Sequence, residues 1–519
     1  MTAPIDRPRA AAEESIEALP ELQPFTGPNE ALRDHVHPRD WENPDPSGRY
    51  NLVVLGGGTA GLVAAAGAAG LGARVALVER HLLGGDCLVT GCVPSKALIR
   101  SARAAADARR AGSLGVHTGE VTVDFPALME RMRARRADIA RHDAALRFKE
   151  LGVDVFLGEG RFSSPSSLEV DGRTLHFARA VIATGARADL PPIPGLEEVD
   201  VLTNQSLFAL TELPESLAVV GGGPIGAEMA QTFARFGSRV TLIEAGARLM
   251  GRDDERAASI VAAALRRDGV DLRLSSRVAR LERSGERMRV VIETASGEET
   301  VETTHVLLAA GRTPNVAGIG LDEAGVEHDP RTGVRVDDRL RTTNPRIFAA
   351  GDVATRHQFT HAADFLARTV LRNALFFGRA KASDLVIPRA TYTDPEVAHV
   401  GLTETEAKGR GIETSVVEID LQDNDRAVLD AETEGFIKVL HDRRGRVLGG
   451  TIVAAHAGEM IGELTSAVQN RASLGAMASV IHPYPTVADA IRRAGDAYNR
   501  TRLTPGRAKL LSRLLRWRR

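Results

Sequence analysis

Twice along this chain a run of apolar residues breaks at three glycines, passes into a helical pattern and returns as a second apolar run ending in an acid. The first instance covers residues 50–79 and turns at Gly56-Gly57-Gly58-Thr59-Ala60-Gly61; the second covers 217–244 and turns at Gly221-Gly222-Gly223-Pro224-Ile225-Gly226. An apolar run without polar alternation predicts a strand buried on both faces, as in a parallel sheet covered by helices. At an offset of 165 residues, Gly221, Gly223, Gly226 and Glu244 fall on Gly56, Gly58, Gly61 and Glu79. The spacing has a mechanical reading. The first glycine allows the tight turn, the second lets backbone approach a pyrophosphate, and the third packs helix on strand. The helix N-terminus receives the pyrophosphate, and the terminal acid accepts from a ribose hydroxyl. Two such units predict two dinucleotides on an α/β fold with two Rossmann-like dinucleotide-binding domains.

Elsewhere the period changes. Residues 97–110 and 125–151 read as helices, the second with Arg131, Arg133, Arg135 and Arg136 on an expected solvated face. A short apolar run ends in Thr184-Gly185. Residues 271–310 alternate as a β-meander with turns at Ser284-Gly285 and Ser296-Gly297, and close on Gly311-Arg312. Residues 346–352 read as a buried strand ending in Gly351-Asp352, an acid able to accept from a sugar hydroxyl. Strands at 390–400, 413–421, 435–441 and 446–454, then helices near 457–473 and 486–501, predict a separate α+β domain.

The two ends differ from the body. Residues 1–49 are polar and proline-rich, and are expected to form an extended arm with one short helix over 13–19, ordered only by docking. Residues 503–519 carry Arg507, Lys509, Arg513, Arg516, Arg518 and Arg519 without an acid, while Leu510, Leu511, Leu514, Leu515 and Trp517 fall at helical spacing. A basic amphipathic helix of this kind suits an anionic membrane surface, or a face of its own subunit or a partner. The expected domains are therefore a polar extension over 1–49, a first dinucleotide domain over 50–190 and 315–385, a second over 191–314, an α+β domain over 386–502 and a basic tail over 503–519.

Charge adds an exclusion. The 66 basic and 68 acidic residues nearly cancel, so no global field points to nucleic acid. No apolar run approaches the roughly 20 residues that span a bilayer, and the first residues lack a signal-peptide core. A cytoplasmic protein is expected, at most peripheral at the inner face of a membrane through 503–519. Chemistry then centres on two thiols. Cys87 and Cys92 are the only cysteines in 519 residues, and they follow the first glycine-rich unit directly. In a reducing compartment such a pair is expected to be redox-active rather than structural. Cys92 falls at the start of a helix, where the dipole lowers a thiol pKa. No structural metal site is expected.

On GGGTAG, GGDCLVTGCVPSK, ATG, GGGPIGAE, GRTPN, AAGD and PYPT, in that order over about residues 50–500, the chain resembles the two-dinucleotide flavoprotein disulfide reductases, the family of dihydrolipoamide dehydrogenase, glutathione reductase and mercuric reductase. The resemblance implies FAD on the first unit, NADH (preferred) or NADPH on the second, and a homodimer formed by the C-terminal domain. It implies that Gly56, Gly58, Gly61 and Glu79 hold the FAD adenosine and pyrophosphate and that Asp352 holds the ribityl chain. Gly85, Thr184, Gly185, Gly351, Gly311 and Arg312 are implied as further cofactor contacts, with Gly221, Gly223, Gly226 and Glu244 at the nicotinamide dinucleotide. Lys96 is implied near the flavin with Glu228 as its ion-pair partner, Cys92 as the thiol facing the flavin, and Cys87 as the thiol that meets the acceptor. Electrons would run from NAD(P)H to flavin to dithiol to acceptor. Glu244 favours NADH, because a carboxylate repels the 2′-phosphate of NADPH.

Departures bear on the acceptor. Disulfide-reducing members carry a His-x-His-Pro-Thr-x-x-Glu pattern. Here the register reads His482-Pro483-Tyr484-Pro485-Thr486-Val487-Ala488-Asp489, with Tyr484 at the acid/base histidine, Asp489 at the orienting glutamate and His482 at the first histidine. A phenol of pKa about 10 is a poor base for a leaving thiol. Tyrosine at this place is similar to mercuric reductase, although neither extension here holds a cysteine pair. The expected acceptor is a soft metal ion such as Hg(II) or Cu(II), a quinone or a similar small oxidant. The alternatives are a dihydrolipoamide dehydrogenase-like or low-molecular-weight disulfide reductase with His482 as base, and a membrane-associated flavoprotein sensor or scaffold. Asp86 and Val89-Thr90 also depart from the commoner threonine and Asn-Val, which bears on the disulfide potential.

Overall fold

The computed structural model describes residues 16–46 and 48–519. In the first unit, strand Arg49–Leu55 lies between Val75–Glu79 and Arg173–Ile182, parallel to both, with Leu55 opposite Val78 on one side and Ile182 on the other. Val153–Leu157 extends the sheet beyond Val75–Glu79, and Ile347–Ala349 joins Arg173–Ile182 in parallel. The antiparallel strands Gly160–Ser164 and Ser167–Val170 complete seven. Leu52 to Leu55 of the first strand and Val75 to Val78 of the second are buried without a break, as their apolar runs require. Because the strands are parallel and in register, their carboxyl ends form one edge. That edge is where an open α/β sheet binds its ligand.

The second unit repeats the plan. Ser216–Val220 lies between Arg239–Ile243 and His305–Leu308, with Asp271–Arg273 outside, all parallel. The meander is real but shorter than the sequence pattern suggests. Only Arg277–Ser284, Arg287–Thr294 and Gly297–Thr303 form the antiparallel sheet. The flanking runs Asp271–Arg273 and His305–Leu308 pair instead with the dinucleotide sheet, a choice that local alternation does not encode. The C-terminal domain is a five-stranded sheet in the order Arg389–Thr391, Glu396–Gly401, Val447–Ala454, Phe436–His441, Ser415–Asp420. Helices Ala457–Gln469 and Asp489–Thr501 pack on it through Ile461, Leu464, Ala490, Ile491 and Ala494.

Three expectations change. The long helix over 125–151 is two helices, Phe125–Ala140 and Ala145–Glu150. Its arginine face is solvated only in part: Arg131 and Arg135 are exposed, but Arg133 is 3% and Arg136 0% exposed. The buried guanidinium groups satisfy backbone carbonyls that have no ladder partner. Arg133 Nη2 donates to Leu210 O at 2.8 Å, and Arg136 Nη1 to Val89 O at 2.6 Å.

The N-terminal arm is also not simply extended. Of the helix expected over 13–19, residues 13–15 lie outside the described residues, and Ile16–Ala18 is a single 3₁₀ turn. Beyond it, Gly27–Val36 forms a ten-residue helix whose Leu32 and Val36, with Leu22 ahead of it, are fully buried in the first domain's core. Trp41 and Asn43 then run along the edge strand Val153–Leu157. Trp41 Nε1 donates to Val155 O at 3.2 Å, while Asn43 Nδ2 donates to Leu157 O at 2.9 Å and Asn43 Oδ1 accepts from Leu157 N at 2.7 Å. This covers an otherwise open sheet edge. Few apolar positions dock the arm, so its proline and charge content outweighed them in the sequence. At the other end, Pro505–Trp517 is a helix with all its side chains outside the core. Among the described residues no helix is long and apolar enough to cross a membrane, and no group of three metal-binding side chains occurs.

Candidate active site

The glycines act at defined points. Gly56 sits at φ +108°, where an L side chain is strained, and a Cβ there would come 2.3 Å from Ala183 O. A Cβ on Gly61 would lie 1.8 Å from Gly56 O, and one on Gly226 would lie 1.9 Å from Gly221 O. Gly61 and Gly226 are thus fixed by helix–strand packing beneath the turns. Gly58 and Gly223 are different: a Cβ there meets nothing closer than 3.9 Å. They begin helices Thr59–Gly70 and Pro224–Phe236 and leave the space before each N-terminus clear for a pyrophosphate. The terminal acids are fastened alike. Glu79 accepts from Gly57 N at 2.6 Å and His81 N at 2.7 Å; Glu244 accepts from Gly222 N at 2.7 Å and Gly246 N at 2.6 Å. Burial pushes the Glu79 carboxyl upward against these hydrogen bonds. Arg248, near Glu244, spends its guanidinium on Asp253 O at 2.9 Å and Gly251 O at 2.7 Å.

Both turns open into one cavity of about 2680 Å³, large enough for two dinucleotides laid end to end. Its walls include Glu79, Gly85, Thr184, Gly185, Gly351 and Asp352 on the first unit's side and Glu244, Gly311 and Arg312 on the second's. Thr184 Oγ1 donates to Asn315 O at 2.7 Å, which ties the carboxyl end of Arg173–Ile182 to the returning chain. Burial pushes the Asp352 carboxyl up to about 6, with Arg312 opposing and Asp86 and Cys92 adding to the rise. Arg312 lies between two acids: it pairs with Asp86, and its Nε lies 3.5 Å from Asp352 Oδ2.

The thiols lie on the same wall. A Cβ on Gly85 would come 2.8 Å from Gly58 Cα, so the short helix Gly85–Val89 packs directly on the first glycine turn. Cys87 is in this helix. Cys92 opens the nineteen-residue helix Cys92–Arg110. Its Sγ shares a 3.4 Å hydrogen bond with Thr360 Oγ1, at the first residue of helix Thr360–Leu375. Two helix N-termini therefore converge on one sulfur, and both dipoles favour its thiolate. The cysteines are free thiols hydrogen-bonded to each other. That bond, then burial, pushes the Cys87 thiol up. The same bond holds the Cys92 thiol down against burial, helped by Thr360 and the Lys96 charge. One turn on, Lys96 Nζ binds Glu228 Oε2 at 2.8 Å. Burial alone would lower the ammonium, but the Glu228 carboxylate outweighs it and the net direction is upward. Glu228 Oε1 accepts from Tyr392 N at 2.9 Å, and Lys96 Nζ lies 4.5 Å from the Tyr392 ring centroid.

Sequence reasoning missed Thr360 and Tyr392. Neither stands in a recognisable chemical motif, and tertiary folding alone brings them to Cys92 and Lys96. Asp489, expected at the position of the orienting glutamate, has a different partner in the single chain. That carboxylate accepts from Arg492 Nε at 2.8 Å within its own helix and orients neither neighbour. Tyr484 Oη donates instead to Asp425 Oδ2 at 3.1 Å, and the His482 ring binds Glu463 Oε2 through Nε2 at 2.9 Å, with Nδ1 3.2 Å from Val480 O. Tyr484 is 77% exposed. The three residues line a separate shallow pocket and do not meet the thiols within one chain.

Residues 50–365 match the family model for pyridine nucleotide-disulphide oxidoreductase, and 387–494 match that family's dimerisation domain. Mercuric reductase of Bacillus cereus is 35% identical over 446 residues, covering 86% of this chain and 71% of the relative. Dihydrolipoyl dehydrogenase of Bacillus subtilis (strain 168) is 33% identical over 453 residues, covering 86% and 96%. Among solved structures, the Cu(II) complex of the HOCl-induced flavoprotein disulfide reductase RclA from Escherichia coli superposes with a TM-score of 0.76 at 30% identity, over 85% of this chain and 98% of that one. LpdA from Mycobacterium tuberculosis gives a TM-score of 0.78 at 29% identity, over 86% and 99%.

Proposed function

Because this chain belongs to the pyridine nucleotide-disulphide oxidoreductases, an FAD- and NAD(P)-dependent enzyme family, we propose that it oxidises NADH and delivers the electron pair through a Cys87–Cys92 disulfide to a soft metal ion such as Hg(II) or Cu(II). The observation that carries the reading is the setting of Cys92. It sits at a helix N-terminus against Thr360, above the Lys96–Glu228 pair, in the cavity shared by both glycine turns. The glycine cradles fit dinucleotides. Gly58 and Gly223 leave room for the pyrophosphates, Glu79 and Glu244 would accept from the ribose hydroxyls, and Asp352 would hold the ribityl chain of FAD. When bound, FAD supplies the conversion of a nicotinamide hydride into an electron pair that opens the disulfide.

The remaining work belongs to the protein. Lys96, Thr360 and the helix dipole hold Cys92 as a thiolate, and Cys87 keeps its proton until an acceptor arrives. With a metal acceptor both sulfurs ligate the metal, the one remaining thiol proton leaves Cys87, and the two sulfurs give up two electrons. Hg(II) becomes Hg(0), or two Cu(II) become two Cu(I), and the disulfide re-forms. This step needs no acid to protonate a leaving thiol. The absence of that requirement suits Tyr484, whose phenol is pushed up by its hydrogen bond to Asp425 and is a still weaker acid than usual. His482 is a weak candidate for that base, since both its ring nitrogens are engaged and its side chain is 7% exposed. The dimerisation domain supports a homodimer, and the exposed Tyr484 belongs, in this reading, to the partner's acceptor site. Glu244 with Arg248 tied to carbonyls favours NADH over NADPH.

Rapid mixing of pre-reduced enzyme with Hg(II), Cu(II), a quinone, lipoamide and oxidised glutathione tests the acceptor. The metal ions should reoxidise the dithiol fastest, and NADH should outperform NADPH in the steady state. Rapid lipoamide turnover lost in His482→Ala would replace this reading with the lipoamide dehydrogenase-like one.

The basic tail fits an anionic lipid surface, with leucines and Trp517 along the helix and no acid to oppose its cations. The full chain should sediment with phosphatidylserine vesicles more than a chain ending at 502. Equal sedimentation rules this contact out.

A further inference from the structure

The residues between the two cysteines are gripped from a place the redox chemistry does not require. Helix Gly85–Val89 ends at Val89, whose carbonyl is among those left without an intrahelical partner. Arg136 Nη1 donates to it at 2.6 Å. The other arm of the same guanidinium reaches the N-terminal extension, where Nη2 donates to Glu21 O at 2.9 Å and to Asn29 Oδ1 at 2.7 Å. All three acceptors are uncharged, and burial lowers the guanidinium only to about 10, so it stays a cation at neutral pH. Asn29 in turn fixes the arm's own loop, with Nδ2 donating to Leu22 O at 2.8 Å and Pro24 O at 2.9 Å.

A second grip comes from the segment leading into the second dinucleotide unit. Asn204 Nδ2 donates to Thr90 Oγ1 at 3.1 Å, and Gln205 Nε2 donates to Glu21 Oε1 at 3.3 Å. The circuit therefore closes: arm, Arg136, Val89, Thr90, Asn204, Gln205, arm. Val89 and Thr90 are the positions where this chain departs from the commoner Asn-Val. The turn they form is tight. A Cβ on Gly91 would come 2.7 Å from Asp86 O and 3.4 Å from Cys87 Cα, so backbone just before Cys92 rests on backbone around Cys87. A displacement of Val89–Thr90 must alter how the two sulfurs face each other.

We propose that the N-terminal arm is a working part of the redox centre, with Arg136 and Asn29 as positioning residues that hold the Val89–Thr90 turn and so set the Cys87–Cys92 disulfide equilibrium. The proposal rests on the pair cycling between disulfide and dithiol. The physical argument is effective concentration. A disulfide is favoured when the fold holds its two thiols together, and it becomes easier to reduce when that hold relaxes. Loosening the grip therefore shifts the pair toward the dithiol. It also weakens the Cys87–Cys92 hydrogen bond, so the Cys92 thiol titrates at higher pH.

The test uses FAD-loaded, full-length dimer carrying Asn29→Ala, with Arg136→Lys as a second variant that keeps the charge but loses the fork. The dithiol–disulfide equilibrium is read by thiol alkylation across dithiothreitol redox buffers. The dithiol should gain about tenfold in equilibrium constant, about 30 mV for a two-electron couple. A purely structural arm would lower thermal stability and leave that equilibrium within twofold of the unmodified enzyme, which overturns the proposal. A second measurement needs no variant. Coupling is reciprocal, so hydrogen exchange in residues 16–36 of the unmodified holoenzyme should differ between its oxidised and reduced forms. Identical exchange also overturns it. Absence of any disulfide–dithiol transition in the unmodified chain would instead overturn the redox reading beneath, so the two failures are told apart.

Discussion

Cys92→Ser should bind FAD and accept electrons from NADH, yet lose reduction of every acceptor that depends on the thiol pair by about a thousandfold or more. Cys87→Ser should lose the same turnover and differ in spectrum. Its remaining Cys92 has no disulfide partner, so a thiolate sits against the flavin without any reductant and gives a long-wavelength absorption. Cys92→Ser should never show that absorption. The asymmetry follows from the surroundings of the two sulfurs. Cys92 opens a helix, meets Thr360 and lies near Lys96, while burial and the shared hydrogen bond hold Cys87 protonated. A pH dependence follows with a definite sign. In Cys87→Ser the hydrogen bond from the Cys87 thiol is gone, while Thr360 and the Lys96 charge still hold the Cys92 thiol down against burial, so the band should fade as pH falls and should titrate at higher pH than Cys92 does beside an intact Cys87. A band confined to Cys92→Ser would reverse the two roles.

Lys96→Met should be the most damaging substitution away from sulfur. Glu228 is 5% exposed and is bound by Lys96 and by the Tyr392 backbone amide. Removing one partner of a buried pair leaves the other charge uncompensated and costs roughly 3–5 kcal/mol. The Lys96 side chain keeps 35% exposure, so a loss of about 2–3 kcal/mol in denaturant unfolding is expected. The same substitution removes a positive charge that lowers the Cys92 thiol, so the thiolate absorption of a Lys96→Met/Cys87→Ser double variant should titrate at higher pH than that of Cys87→Ser. Glu228→Gln added to Lys96→Met should recover part of the stability and little of the thiolate shift, because the two effects act through different atoms. Full stability in Lys96→Met would mean that the pair contributes nothing to holding the helices together.

Much of this was written locally in the chain. Gly56 and Gly61 were legible because the clash of a Cβ with Ala183 O or Gly56 O is a backbone matter that forces glycine at a fixed spacing. Cys87 and Cys92 were legible because they are the only thiols and adjoin that turn. What stayed hidden depends on distant chain. Arg133 and Arg136 share a helix with the exposed Arg131 and Arg135, and only the docking of the arm and of residues 208–210 buries them. Asp489 matched a motif position, but Arg492 in its own helix captured it, while Asp425 and Glu463 partnered Tyr484 and His482. Thr360 and Tyr392 lie more than 260 residues from Cys92 in the chain and become its neighbours only through the fold.

The central claim is that electrons from NADH come to rest on Cys87 and Cys92. Anaerobic addition of one equivalent of NADH to the oxidised, FAD-loaded enzyme, followed by rapid alkylation and peptide mass measurement, tests it directly. The claim predicts that both cysteines, protected before reduction, become alkylated as the long-wavelength thiolate absorption rises. Bleaching of the flavin with Cys87 and Cys92 still joined, or with both free before any NADH is added, would contradict it.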